Sequence, residues 1–251
     1  MKIGLIGFGS IGRFLAGNLK NEVAWIVEQK QSIATARSEA RMLAPHAKIF
    51  SSVPAKCGGA NIVVECASQD AVKMLIPCLK YSDALIMSVG ALRDRKLLGA
   101  LERAAQGSGR RIIVPSGAIG GLDAIKSVKP VLHSVLLESR KPPAGFGRSD
   151  SREVVLFEGN ASDACEKFPK NINVSATLSL AGIGFEKTRV WIISDPKAKG
   201  NEHTITAKGD FGEMKLHFSN LPMKENPKTS MLAALAALRA IRERNGALVI
   251  A

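Results

Sequence analysis

The chain opens on a short apolar run, Lys2–Ile6. Runs of the same kind return at Val23–Val27, Asn61–Glu65 (NIVVE), Ala84–Val89 (ALIMSV) and Arg111–Pro115 (RIIVP). Stretches this short, with no polar alternation, predict strands buried on both faces. Between them the period lengthens. Ile11, Leu15 and Leu19 recur every four residues and predict a helix over Arg13–Leu19, and Asp70–Leu79 and Arg95–Gln106 predict two crossover helices. Strands and helices alternating in this way predict one doubly wound parallel sheet over residues 1–117.

After residue 117 the rhythm changes. Ser134–Ser139, Val154–Phe157, Arg189–Ser194, His203–Ala207 and Glu213–Phe218 predict strands separated by turns, with helices at Ala161–Phe168 and Asn173–Ala181. That pattern is a second, α+β domain over residues 118–251. Lys141–Arg152 (KPPAGFGRSDSR) is rich in Pro, Gly and Ser and predicts an exposed flexible loop. Leu232, Leu235, Leu238 and Ile241 predict a long final helix over Thr229–Arg244, capped by Gly246 and packing back on the first domain.

The turn after the first strand carries chemistry. Gly7-Phe8-Gly9-Ser10-Ile11-Gly12 follows that strand at once, and the second strand ends in Glu28. Strand, GxGxxG, helix, strand and acid within about 30 residues is the order of a dinucleotide fingerprint, so the first domain is of Rossmann type. Gly7 makes the tight turn, Gly9 lets backbone approach a diphosphate, and Gly12 lets helix and strand pack closely. The N–H groups at Ser10 and Ile11 open the helix and face the phosphates. Glu28 would accept hydrogen bonds from ribose hydroxyls and repel a 2′-phosphate, favouring NAD; Lys30 close by favours a 2′-phosphate, so NAD or NADP is the expected cofactor. Cys66 and Ala67 after NIVVE, and Ser88 within ALIMSV, are small residues where carboxyl-end loops meet a ligand. A glycine turn with no ligand is the plain alternative for the motif.

Bulk properties narrow the field. The chain is 46% hydrophobic and 23% charged, an ordinary globular composition. No apolar stretch approaches the roughly 20 residues of a membrane helix. The apolar N-terminus is interrupted by Gly4, Gly7, Gly9 and Gly12, which reads as strand and turn rather than a signal peptide, so a cytoplasmic location is expected. Cys57, Cys66, Cys78 and Cys165 lack metal-ligand spacing and read as reduced thiols, with no disulfide and no metal. The net charge of +13 is diffuse: residues 1–117 carry 16 Lys and Arg against 8 acids, and residues 118–251 carry 19 against 14. With a single Tyr there are few stacking platforms, so small anionic ligands fit the charge better than nucleic acid.

One histidine lies in an alternating run, GNEHTITAKGDFGEM. In a strand His203, Ile205 and Ala207 share one face, and Glu202, Thr204 and Thr206 the other. His203 therefore points inward. A hydrogen-bonded core histidine and a catalytic group facing a cleft both fit that placement.

Several stretches stand together: VVECAS (63–68), PSGAIGGLDAI (115–125), FPKNINVSATLSLAG (168–182), ISDP (193–196), NEHTITAKGDFGE (201–213) and ENPKTSMLAALAALRAIR (225–242). Through them the chain resembles the L-aspartate dehydrogenase family over nearly its whole length. The resemblance implies a nicotinamide-binding Rossmann domain followed by a C-terminal catalytic and dimerisation domain. It implies NAD(P)-dependent oxidation of L-aspartate through iminoaspartate to oxaloacetate and ammonia. It also implies a homodimer that feeds iminoaspartate to quinolinate synthesis and so to de novo NAD formation. The family's catalytic histidine falls on His203, and its cofactor contacts in the second half fall on Ala118 and Asn173.

A histidine with a pKa near neutrality could take the amine proton or activate the water that attacks the imine. His46 in a loop, His133 at the start of a strand and His217 on a polar face are poorer choices. The two substrate carboxylates need cationic or N–H partners. Asn226–Ser230 is expected to start a helix, with Thr229 or Ser230 capping it and Lys228 pairing with a carboxylate; an ordinary cap with a surface lysine is the alternative. Ser116 and the N–H groups of Gly117–Gly121 are a second choice. A homoserine-dehydrogenase-like or dihydrodipicolinate-reductase-like oxidoreductase shares the architecture. A redox-sensing DNA-binding regulator would need a docking element, and no helix-turn-helix stands out.

Overall fold

The computed structural model describes residues 1–168 and 172–246. The chain divides into two compact units. One is Met1–Pro115 joined by the stretch that begins at Ala237, and the other is Ser116–Ala236.

In the first unit β1 (Ile3–Ile6), α1 (Ser10–Leu19), β2 (Val23–Val27), α2 (Ile33–Leu43), β3 (Lys48–Phe50), β4 (Ile62–Glu65), α3 (Leu75–Cys78), β5 (Asp83–Ile86), α4 (Arg95–Gln106) and β6 (Ile112–Ile113) follow in chain order. The six strands form one parallel sheet in the order β3-β2-β1-β4-β5-β6. That order reverses between β1 and β4, as in a doubly wound dinucleotide-binding sheet. β1, β4 and β5 are buried at every position, which is why they read as apolar runs, broken only by Glu65 at the end of β4 and Asp83 at the start of β5. Asp94 caps α4, accepting from the N–H of Lys96 (2.8 Å) and of Leu97 (3.3 Å).

Some expectations change here. Asp70–Leu79 is a 3-10 turn over Gln69–Met74 followed by the single-turn α3, and Pro77 in that turn has no N–H to give. The RIIVP strand shrinks to Ile112–Ile113. α2 and β3 were not anticipated, and β3 is a three-residue edge strand with no fully buried position.

The second unit holds α5 (Leu122–Val128), β7 (Leu132–Lys141), β8 (Val154–Asn160), α6 (Ala161–Lys167), α7 (Asn173–Ala181), β9 (Thr188–Ser194), β10 (Asn201–Gly209), β11 (Gly212–Asn220), β12 (Pro222–Met223) and β13 (Asn226–Ser230). β7 to β11 form a mixed sheet in the order β11-β10-β7-β9-β8, and β12 pairs with β13 as a small hairpin. α6 and α7 pack on β8 and β9. One face of the sheet is apolar through Val135, Leu137, Val190, Ile192, Ile205 and Ala207, all buried. The other is half-exposed and polar, with Arg140 paired to Glu138, Glu153 and Asp195.

Two stretches correct the sequence reading. Lys141–Arg152 is not simply an exposed loop: Lys141 is the buried last residue of β7, and Pro143–Phe146 form a 3-10 turn. Asp150 then accepts from Ser194 Oγ (2.7 Å) and from Arg148. The final helix, α8, spans Met231–Arg242, and a turn follows over Glu243–Asn245. Gly246 is extended (φ −64°, ψ 140°), so it is not a left-handed cap. Leu235 is 46% exposed, while Ala234, Ala237, Leu238 and Ile241 are buried. A three-residue repeat falls behind a 3.6-residue turn, so the true buried stripe winds away from it. Arg244 donates to Asp83 Oδ2 at 2.6 Å, within the first unit.

Candidate active site

The glycine turn sits between β1 and α1. Gly7 has φ +100°, open to glycine alone at little cost, and a Cβ there would also meet Ala67. A Cβ on Gly12 would overlap the Gly7 carbonyl, so α1 approaches the turn that closely. At Gly9 a Cβ would meet nothing within 4 Å. The fold itself therefore does not need glycine at this position, and the space a Cβ would take is open to a closely approaching ligand. Gly9 is also the N-cap of α1, with no side-chain cap and no acid in the first turn. The N–H groups at Ser10, Ile11 and Gly12 are thus left to a ligand, and the helix end favours an anion.

Glu28 lies at the end of β2, and its carboxylate turns back to the glycine turn. Oε2 accepts from the Phe8 N–H at 2.9 Å, and Oε1 from the Gln29 N–H at 2.7 Å. Each oxygen has a second lone pair, so a ribose hydroxyl can still be received at the turn itself. Cys66 Sγ donates to the Gly7 carbonyl at 3.3 Å. Burial, then the charges of Glu65 and Glu28, push that thiol far above the usual cysteine range, so it stays protonated.

Ala67 and Ser88 already have a partner within the fold. Both spend their donors on Glu65, which ends β4 and is 0% exposed. Oε1 of Glu65 accepts from the N–H of Ala67 (2.8 Å), the N–H of Ser68 (3.0 Å) and the hydroxyl of Ser88 (2.9 Å); Oε2 accepts from the Ser88 N–H (3.0 Å). Burial pushes this carboxyl up, and the four donors pull it back. Glu65 ties the loops after β4 and β5 together, at the carboxyl edge where a parallel sheet meets its ligand. Sequence reading passed over it; the signal was an acid closing an otherwise apolar strand. Such a glycine turn, uncapped helix end and acid fit a nicotinamide dinucleotide.

In the second unit His203 lies on β10, facing inward and 3% exposed. The other three histidines are exposed; His133 pairs with Asp210, and His217 bonds to Thr204. His203 is opposite Ser139 of β7, and its Nδ1 lies 3.0 Å from the Ser139 hydroxyl. The pKa expected near neutrality is not found. Burial first, then the charges of Lys141 and His217, lower it to about 3, so the ring is neutral.

The sheet face changes character towards this end. Leu216, Ile205, Leu137 and Val190 form one row across the strands, and Phe218, His203, Ser139 and Ile192 form the next. In the row beyond, Asn220 opposes Asn201, and Lys141 opposes Ser194; all four are buried. The GAIGG turn covers part of this face: Asn220 Nδ2 donates to the Ala118 carbonyl at 2.8 Å, and Gly120 and Gly121 lie against Phe218 and Leu216.

The remaining expected residues are scattered. Ala118 is buried in that turn, and Ser116 is half-buried at the start of the second unit. Asn173 opens α7 and is exposed. Asn226–Ser230 is strand β13, and α8 opens directly after it at Met231: Ser230 holds the position before the helix but its buried hydroxyl has no partner among the described residues, and Thr229 lies one residue too early, its hydroxyl accepting from Asn226 Nδ2 at 3.1 Å. The side chain of Lys228 lies outside the described residues.

Residues 123–244 match the family model described as aspartate dehydrogenase, C-terminal, and residues 4–115 match the one described as homoserine dehydrogenase, NAD binding domain. L-aspartate dehydrogenase of Archaeoglobus fulgidus is 39% identical, with 100% of each chain covered. The enzyme of the same name from Methanosarcina barkeri is 38% identical, over 97% of this chain and 96% of its own length. The crystal structure of aspartate dehydrogenase from Thermotoga maritima superposes with a TM-score of 0.81 at 30% identity, covering 100% of this chain and 99% of that one. A hyperthermophilic archaeal homoserine dehydrogenase shares the fold at 11% identity, with a TM-score of 0.61 and 96% of each chain covered.

Proposed function

The chain belongs to the L-aspartate dehydrogenase family, and on that premise we propose that it oxidises L-aspartate with NAD or NADP, through iminoaspartate, to oxaloacetate and ammonia. The observation that carries this reading is His203, a buried neutral imidazole held by Ser139 at the polar end of a sheet face.

A nicotinamide cofactor, when bound, supplies the hydride acceptor. The chain's own residues do the rest. The N–H groups at Ser10, Ile11 and Gly12 receive the diphosphate, and Glu28 receives ribose hydroxyls. Glu65 holds the two neighbouring loops in place. When His203 donates its Nδ1–H to Ser139, its Nε2 lone pair is left to accept a proton. Loss of hydride from the substrate Cα needs a neutral amine, and Nε2 can take the ammonium proton or, later, a proton from the water that attacks the imine. A pKa of about 3 makes the free imidazole a weak base. Carboxylates arriving beside it favour the protonated ring and raise that basicity in the complex.

The same reading makes the protein a cytoplasmic homodimer that acts on small molecules, without nucleic acid or membrane, and supplies iminoaspartate to de novo NAD formation. The long family-like stretches support it. Among the described residues no helix is long and apolar enough to cross a membrane.

The test follows reduced-nicotinamide absorbance with L-aspartate or L-homoserine, and NAD or NADP, for the native chain and His203→Ala. The native chain should reduce cofactor with aspartate alone, and the variant should bind cofactor but lose most of that rate. A native chain that binds cofactor and leaves aspartate untouched would sink the substrate assignment.

A further inference from the structure

Lys141 carries the positive charge that bears most on the proposed base, and it is only 7% exposed. It ends β7, two residues beyond Ser139, so both side chains leave the strand on the same face. Ser139 is directly opposite His203, which places Lys141 diagonal to the imidazole on the adjoining strand. Residues in that relation lie about 7–8 Å apart at the backbone, within reach of a long side chain. The Pro143–Phe146 turn folds over the lysine. The Phe146 ring is 5.9 Å from Nζ, and Gly145 lies against the aliphatic stem. Around it the row is polar: Ser194 opposite, with Asn201 and Asn220 on the neighbouring strands.

Resting on the dehydrogenase reading above, we propose that Lys141 is a substrate-binding residue whose ammonium receives a carboxylate of the dicarboxylic acid beside His203.

A buried ammonium is costly, and burial alone lowers the pKa of Lys141 to about 8. The groups whose charge bears on His203 are Lys141 at the end of β7 and His217 on β11. Both disfavour a proton on the imidazole. A carboxylate against Lys141 cancels the larger of these and adds a negative charge beside the ring. Substrate binding and the readiness of His203 to take a proton are thereby one event. A proton is not accepted in an empty site, and the base is switched on by the molecule it serves.

The test uses the full chain with NAD present and succinate as an unreactive dicarboxylate probe. Succinate affinity is measured by calorimetry and His203 titration by NMR, in the native chain, Lys141→Met and Lys141→Arg. Methionine conserves volume and removes a buried charge, so the variant is expected to fold. Succinate should raise the His203 pKa in the native chain, and its affinity should fall about 30-fold or more in Lys141→Met, the loss usual for one partner of a buried charge pair. Lys141→Arg should recover most of the binding. Equal succinate affinity in the native chain and Lys141→Met, or an unchanged response of His203 in that variant, overturns the proposal. None of these readouts needs turnover. If L-aspartate proves not to be oxidised while succinate still binds through Lys141, the substrate reading fails and the carboxylate site stands.

Discussion

Mild acid should weaken this fold through one buried ring, and His203→Gln should remove that weakness. The imidazole titrates at 6.5 when free and at about 3 in the folded chain. Between those values the unfolded chain binds a proton that the folded chain refuses. Stability is therefore full above 6.5 and falls as pH drops towards 3. Each pH unit in that window costs about 1.4 kcal/mol, so two units, from 6.5 to 4.5, remove roughly 2.7 kcal/mol. For a domain-sized protein that is a large fraction of total stability. Of the shifted carboxylates only Glu65 titrates upward into this window; burial raises it above 4.5, so it offsets part of the loss equally in the native chain and the variant. Asp83 and Asp150 are held below 3.8, Asp83 by the Arg111 N–H and by Arg244, Asp150 by Arg148 and Ser194. Their stabilising contributions are lost only as pH falls further. Urea unfolding at pH 6.5 and 4.5, for the native chain and His203→Gln, isolates the effect. Glutamine keeps a polar partner for Ser139 and has no proton to gain. The native chain should lose about 2–3 kcal/mol more than the variant across this interval. Equal losses would mean that the ring is hydrated or protonated in the folded state, and the account of His203 as a dry, neutral group would fail.

Gly9→Ala should leave the melting temperature within about 2 °C, because a Cβ there meets no protein atom, yet weaken NAD binding at least tenfold; normal affinity would contradict a diphosphate at the α1 N-terminus. Glu65→Gln should cost about 2–4 kcal/mol in chemical unfolding, since the new amide N–H2 faces a donor wherever it is placed, and all four bonds lose their charged acceptor; a loss under about 0.5 kcal/mol would show that the carboxyl is already protonated. Lys141→Met should stabilise the ligand-free chain at pH 7 by up to about 3 kcal/mol, with the gain fading as pH rises from about 8 to 10.5, because the folded lysine sheds its proton earlier than the unfolded one. A gain that does not depend on pH would point to packing rather than charge.

What could be read from the chain depended on the distance over which each feature is decided. The glycine turn is set within six residues, and its pieces lie where the motif puts them: a positive φ at Gly7, a helix opening at Ser10, an acid directly after β2. Strands buried on both faces were visible for the same reason, since each carries its own apolar run. Elements held by weak local signals were not. β3 has three half-exposed or exposed residues, and Pro77 turns a periodic helix into a 3-10 turn and one helical turn. Asn226–Ser230 looks like a cap but pairs with β12, a tertiary choice that overrides a local preference.

The second unit's site is decided at longer range still. Alternation placed His203 on an inward face, but whether a core histidine or a reactive one stood there depended on its neighbours. Ser139 is 64 residues away and meets the ring only because β7 and β10 pair in one register; a slip by one residue would put Glu138 or Arg140 opposite it and turn the hydroxyl to the other face. Lys141 reads as part of a loop because Pro142, Pro143 and Gly145 follow it, although the strand ladder runs through it to Ser194. The same register that hides these residues from a one-dimensional reading sets their chemistry. It places a hydroxyl on one nitrogen of a dry imidazole and a buried ammonium one row further on. The imidazole is thereby tuned by groups that its own strand does not supply.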